Sequence, residues 1–227
     1  MRGCRTSLSA TAIVAACAIA AACSSGGNAG PAGGGAKWTR AERTAFPGLS
    51  WYTGASLAVT ADGREVVGFD GQAAYNAPNM PHVHVRDGAG WTELGGLLRN
   101  SAHAAWEAPR VAVEADGSIV AALEENFNPP GVGPVELYVA RWIDNAWTPL
   151  GGALNTVGTI PFYARIAASP AGILVAWYEE TSSLASAPLR VARWSGSAWE
   201  DLGSASVGGT WVPALAAAGS TPLRTRR

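Results

Sequence analysis

The sequence predicts an all-β fold, an array of repeated four-stranded antiparallel units, and three observations predict it. Trp38, Trp91, Trp147 and Trp199 recur at intervals of 53, 56 and 52 residues, with recurring text around them. Each interval holds short runs rich in β-branched and aromatic residues, separated by turn signals. No stretch beyond the N-terminal region carries a capped apolar pattern of 3.6-residue period. A fixed period of this size marks one supersecondary unit copied along the chain.

The runs can be taken in order. The first copy has Leu57 to Val59 before Asp62-Gly63, then Glu65 to Phe69, Val83 to Arg86, and Trp91-Thr92-Glu93-Leu94-Gly95-Gly96. The second has Val111 to Val113 before Asp116-Gly117, Ile119 to Leu123, Leu137 to Trp142, and Trp147-Thr148-Pro149-Leu150-Gly151-Gly152. The third has Ile166 to Ala168 before Ala171-Gly172, Leu174 to Trp177, Leu189 to Trp194, and Trp199-Glu200-Asp201-Leu202-Gly203. Glycine accepts positive φ, so these turn glycines join the first and second runs as hairpins. Asp87-Gly88, Asp144-Asn145 and Ser195-Gly196 mark a second hairpin in each copy, between the third and fourth runs. The longest connections, Asn126 to Pro134 and Ser182 to Pro188, are polar and carry proline. Trp38, Trp91 and Trp147 precede the turn glycines by 25, 26 and 25 residues, so the register holds across copies.

Four antiparallel strands in a unit of this length make a propeller blade. The predicted layout is a leading strand at 37–54, blades at 55–100, 101–155 and 156–204, and the start of a fourth at 205–219 with Trp211. Residues 220–227 break the pattern. Propellers close with about four to eight blades, so the reading is an incomplete propeller, the front portion of a longer one; an open arc completed by a second copy of the chain and a compact sandwich-like packing of three sheets are the alternatives. A tryptophan followed three residues later by leucine, a strand-opening arginine, a turn glycine and a basic-aromatic run together resemble kelch-like and related bacterial propellers. The resemblance is at blade level, over residues 37–217. Kelch blades end their second strand with paired glycines; here Phe69-Asp70, Glu124-Glu125 and Glu179-Glu180 stand at that place.

The N-terminus carries an export signal. Arg2 and Arg5 precede an apolar or small run from Leu8 to Ala22, too short and alanine-rich for a membrane span. Ala20-Ala21-Ala22-Cys23 followed by Ser24-Ser25-Gly26-Gly27 resembles the bacterial lipoprotein signal, with Ala20 where a leucine usually stands. The resemblance implies a signal peptide at 1–22 and a diacylglycerol thioether on Cys23. No cysteine occurs beyond Cys23, so no disulfide framework is expected. Acyl chains contribute about 0.8 kcal/mol per buried CH₂, and the expected location is exported and membrane-anchored. Residues 23–36, rich in glycine, serine and alanine, read as the lipidated cysteine and a flexible tether. With a net charge of −1 and no basic run before the tail, nucleic acid is not an expected partner.

Chemistry is sparsely signposted. The domain has no nucleophilic cysteine, no Gly-x-Ser-x-Gly, no phosphate-cradling loop and no His-Glu-x-x-His. In a propeller, loops entering the innermost strand open on the same face as those that end the second strand. Arg110 and Arg165 each lie seven residues before a turn glycine, with Ser56 as their counterpart, and Glu124, Glu125, Glu179 and Glu180 end second strands. Together they could bind an anionic or polyhydroxyl ligand, hold a cation with help from backbone carbonyls, or pair as repeated structural contacts. Tyr52, Trp106, Tyr163 and Trp211 fall in the same loops and could stack on sugar rings or wedge between blades. His82 and His84 alternate on one strand face, with His103 beyond; in the aligned copies they fall where Leu137 and Val139, or Leu189 and Val191, stand, so they read as packed residues, and neither a metal nor a cofactor is expected. The favoured reading is a lipid-anchored extracytoplasmic binding module for carbohydrate or protein. A glycosidase or lyase on the same scaffold comes second, and a non-functional fragment third.

Overall fold

The computed structural model describes residues 51–88, 90–129, 133–181, 187–206, 213–215, 217–218 and 221–222. The signal, Cys23, the tether, Trp38 and Trp211 lie outside the described residues, as does the side chain of Tyr52. Among the described residues every regular element is a strand.

Three antiparallel sheets follow one another along the chain, each a meander in sequence order. The first is β1 (Trp51–Val59), β2 (Glu65–Gln72), β3 (Met80–Asp87) and β4 (Gly90–Glu93). The second splits its leading strand into β5 (Ala104–Ala105) and β6 (Arg110–Val113), both paired to β7 (Ile119–Asn126), then β8 (Val135–Ile143) and β9 (Ala146–Pro149). The third is β10 (Ile160–Ser169), β11 (Gly172–Glu180), β12 (Leu189–Trp194) and β13 (Trp199–Ala205). A short pair, β14 (Ala217–Ala218) and β15 (Thr221–Pro222), follows. The hairpins expected at Gly63, Gly117 and Gly172 are all formed, each glycine at positive φ.

Two cores sit between consecutive sheets. Val66, Val83 and Val85 of the first sheet meet Ile119, Ala121, Leu123 and Tyr138 of the second. On the opposite face of the second, Val120, Ala122, Leu137 and Val139 meet Ile173, Val175, Trp177 and Trp194 of the third. The middle strand β7 is therefore buried along its whole length, and its run Ile-Val-Ala-Ala-Leu is continuously apolar rather than alternating. The outermost strands β4 and β9 are mostly exposed and β13 almost entirely so, and β4 and β13 carry Glu93, Glu200 and Asp201, charges that discourage edge pairing.

The recurring tryptophans fasten one sheet to the next. Trp147 donates its indole N–H to the carbonyl of Leu94 at 3.1 Å, and Trp199 donates to Leu150 at 2.5 Å. Both acceptors end the preceding unit's Trp-x-x-Leu motif. Their rings are half-buried against Trp142 and Trp194 respectively, at 5.3 Å between centroids.

Leading strands lie close together: β1 contacts β6, and β6 contacts β10. Gly68 shows how close. A Cβ there would stand 2.7 Å from the backbone oxygen of Pro109 and 2.9 Å from Val111 Cγ1, so only glycine fits.

Cross-strand register decides which residues correspond between copies, and it corrects the correspondence expected from the sequence. Ser56, Arg110 and Arg165 pair with Gly68, Ala122 and Ala176, so these three do align as expected. The third hairpin, however, is one residue shorter: Ala168 pairs Ile173, whereas Val113 pairs Ile119 and Val59 pairs Glu65. One residue reverses the face of every side chain that follows. Glu179 therefore corresponds to Glu125, not Glu124, and the counterpart of Glu124 is Tyr178. Likewise Val83, Val139 and Val191 pair with Gly68, Ala122 and Ala176, which aligns His82 with Tyr138 and Arg190, and His84 with Ala140 and Ala192.

Candidate functional site

Each leading strand breaks register at the same place. In β1 the pairing slips between Thr53 and Ser56, and in β10 between Phe162 and Arg165, so two residues face one on the partner strand. Such bulges bend a strand and re-aim its side chains, and they concentrate beside functional sites. The middle sheet widens the same break: between Ala105 and Arg110 four residues, Trp106 to Pro109, leave the ladder. That copy is one residue longer here, which is why Trp91 precedes its glycine by 26 residues rather than 25.

Charged groups converge on this line of breaks. Glu107, on the widened segment, pairs with Arg110 at 3.4 Å. Arg110 also donates to the carbonyl of Ala55 in the first sheet at 3.3 Å, and its Nε is buried without a partner among the described residues. Ser56, its counterpart, accepts the amide of Val111 at 2.9 Å, tying β1 to β6. Glu124 is 3% exposed and accepts the amide of Ala164 in the third sheet at 2.8 Å. Its second oxygen, Oε2, is buried with no hydrogen-bond partner among the described residues. Arg165 donates to the carbonyls of Ala164 at 2.7 Å and Tyr163 at 3.4 Å.

Burial and mutual charge set the protonation of this group. Burial pushes the Glu124 carboxyl up to about 8, and nearby Glu107 pushes the same way; the Ala164 amide, Arg110 and Arg165 oppose. Glu107 is also raised, chiefly by burial, with Arg110 opposing and Asp70 adding. Arg165 is lowered, first by burial and then by Arg110. Burial thus favours the protonated form of the Glu124 carboxyl, which can donate as well as accept, beside two guanidinium groups and a second carboxyl.

Aromatic rings border the cluster. Trp106 meets Phe162 edge-on at 6.1 Å between centroids, and Tyr163 lies 6.0 Å from Phe162. Trp106 is fixed by its amide, which donates to the carbonyl of Glu124 at 2.7 Å. Tyr163 sits at φ 56, a left-handed conformation rare for a bulky residue; its counterpart in β1 is Gly54, at φ 59.

Of the residues singled out in the sequence, Arg110, Arg165, Glu124, Trp106 and Tyr163 come together. Glu125 does not: fully buried toward the first sheet, it accepts from the Arg99 amide at 2.9 Å, Arg99 Nε at 2.6 Å and His103 Nδ1 at 3.2 Å. Glu179 has the equivalent role in the third sheet, accepting from the Thr156 amide at 2.6 Å and pairing with Arg190 at 2.7 Å. These are loop-holding contacts. Glu180 is half-buried at the end of β11, opposite Ile160. The sequence reading missed Glu107, for which the extra residue between Trp91 and Gly117 was the available signal. It named Asp70 only as a strand end, yet Asp70 is 2% exposed and is the register counterpart of Glu124.

No protein-family model matches the chain, and no curated protein matches it. Among solved structures, it is similar to a protein of unknown function from Dyadobacter fermentans DSM 18053, with a TM-score of 0.44 and 15% identity. That match covers 61% of this chain and 36% of the other, about a third of the length of the protein it resembles.

Proposed function

We propose that the chain is a lipid-anchored extracytoplasmic binding module, its three sheets consecutive blades of a propeller-like array, and that its ligand is a carbohydrate. Sequential meanders, a core between consecutive sheets and the repeated tryptophan-to-leucine hydrogen bond support the blade arrangement. The kelch-like text and the Ala-Ala-Ala-Cys23 signal support a bacterial exported lipoprotein. One observation carries the ligand: Glu107, Arg110, Glu124 and Arg165 gather at the bulge line beside Trp106 and Tyr163. A sugar offers hydroxyls that both donate and accept, and an apolar ring face that stacks on indole or phenol. A site mixing guanidinium donors, a protonated carboxyl and edge-set aromatics fits such a ligand.

A glycan-array screen tests the proposal. Binding to a glycan that is lost in Trp106→Ala and Tyr163→Ala, but kept in Glu124→Gln, supports it; the absence of any glycan binding would sink it. The second reading, a glycosidase, is favoured by one feature: burial raises the Glu124 carboxyl, the direction a general acid requires, with Glu107 as the second carboxyl. Turnover of a chromogenic glycoside abolished by Glu124→Gln or Glu107→Gln would establish that reading instead. For the anchor, Cys23→Ala should release the protein from membranes, and retention there would count against lipidation.

A further inference from the structure

A second cluster lies on the first sheet and stands apart in chemistry from the one above. His82 and His84 alternate on β3, so both imidazoles leave the same face. Glu93 on β4 is the direct cross-strand partner of His84, which brings its carboxylate onto that face as well. One donor atom from each of the three lies within 4.8 Å of the others. Phe69, the cross-strand partner of His82, stacks on both rings at 5.2 and 5.3 Å and fixes their planes. Glu93 Oε1 stands 2.6 Å from His82 Nδ1, while His82 Nε2 is buried with no hydrogen-bond partner among the described residues. His84 is 7% exposed and the Glu93 side chain 47%, so the cluster is closed on its imidazole side and open on its carboxylate side.

The other copies show that the fold does not require these residues. In register, the same three positions hold Tyr138, Ala140 and Pro149 in the second sheet and Arg190, Ala192 and Asp201 in the third. Tyr138 sends its hydroxyl to the carbonyl of Leu97, and Arg190 pairs with Glu179. A residue that serves the packing of a repeat recurs with the repeat. The two imidazoles and their carboxylate are confined to one copy.

We propose that His82, His84 and Glu93 bind one divalent first-row transition ion, zinc being the best match. Two imidazoles and a carboxylate suit zinc, with a fourth position left for water or a ligand, whereas calcium and magnesium prefer all-oxygen sets. Bonds of about 2.0–2.2 Å place neighbouring donors about 3.3 Å apart, so donors now up to 4.8 Å apart must draw together while the 2.6 Å contact between Glu93 Oε1 and His82 Nδ1 gives way to the ion. The half-exposed Glu93 side chain is the group able to move. Such an ion would clamp β4, a short four-residue edge strand, onto β3.

The test uses the full chain carrying Cys4→Ser, Cys17→Ser and Cys23→Ser, so that no thiolate can contribute. The metal-free protein is titrated with cobalt(II), followed by its visible d–d absorption, and then with zinc in competition. The expected result is uptake of one equivalent of cobalt, displaced by zinc, with affinity at least about tenfold weaker in His84→Ala and in Glu93→Gln. Zinc should also raise the melting temperature of the parent but not of Glu93→Gln, a change on an exposed side chain whose fold is checked by circular dichroism. Absence of stoichiometric uptake would overturn the proposal, as would uptake undiminished when Glu93→Gln and His82→Gln are combined.

Discussion

The indole nitrogen of Trp147 donates to the backbone carbonyl of Leu94, the last residue of the preceding unit's own Trp-x-x-Leu motif. Trp199 repeats the bond to Leu150. A tryptophan in this array therefore fastens its own sheet to the one before it, and the motif is at once donor in one unit and acceptor for the next.

That relationship predicts the effect of removing the donor. Trp147→Phe keeps an aromatic ring in place but leaves the Leu94 carbonyl without its partner in a half-buried site, a loss of about 1–3 kcal/mol. The same change at Trp199 should have a similar effect at Leu150. Chemical denaturation would show a lower midpoint with an unchanged slope; a midpoint equal to wild type would mean that the ring alone holds the sheets.

Glu124 predicts a pH dependence. Its carboxyl rises from an ordinary 4.5 to about 8 on folding, so between these values the native state holds a proton that the unfolded chain has released. The contribution is favourable below the unfolded value and declines as pH climbs toward 8. Glu124→Gln keeps an acceptor for the Ala164 amide and cannot ionise. The variant should match wild type near pH 4 and exceed it at pH 9, by an amount on the order of a few kcal/mol. Parallel stability curves for the two proteins across that range would refute the assignment.

Arg99 and Arg193 should respond differently to truncation. Arg99 pairs with Glu125, which has no exposed surface, and its guanidinium also lies over the Tyr138 ring at 4.4 Å. Arg99→Ala removes the guanidinium from this buried carboxylate and leaves it only the residue 99 amide and His103, at about 1–3 kcal/mol. Arg193 pairs with Glu200 at 2.6 Å, but both side chains are exposed, so Arg193→Ala should change stability by less than about 1 kcal/mol. Thermal melts of the two variants side by side would settle whether burial, rather than distance, decides the difference.

The bulge offers a reciprocal pair. Gly54 and Tyr163 occupy the same left-handed position in β1 and β10. At Gly54 an added Cβ would stand 2.7 Å from Ala108 Cβ, so Gly54→Ala should destabilise by about 1–3 kcal/mol. Tyr163→Gly relieves backbone strain and should leave stability within about 1 kcal/mol of wild type, while abolishing glycan binding. Loss of fold in Tyr163→Gly would show that the phenol ring is there for packing and not for a ligand.

Much of the architecture is legible in the sequence because its signals are local. A turn glycine, a short apolar run and a tryptophan three residues from a leucine each act within a few residues, and repetition multiplies them. The strands and their meander order follow from Gly63, Gly117 and Gly172 and the runs beside them. Faces are another matter. A strand side chain's direction depends on counting through the turn before it, and the third copy omits one residue there, so Glu179 turns toward a loop while Glu124 meets Ala164 of the next sheet. The gathering of Glu107 with Glu124 and Arg165, and of Glu93 with His82 and His84, brings residues from different strands within reach. Only tertiary structure decides such meetings, because period-two alternation makes a one-residue difference in a turn invisible locally and decisive across a sheet.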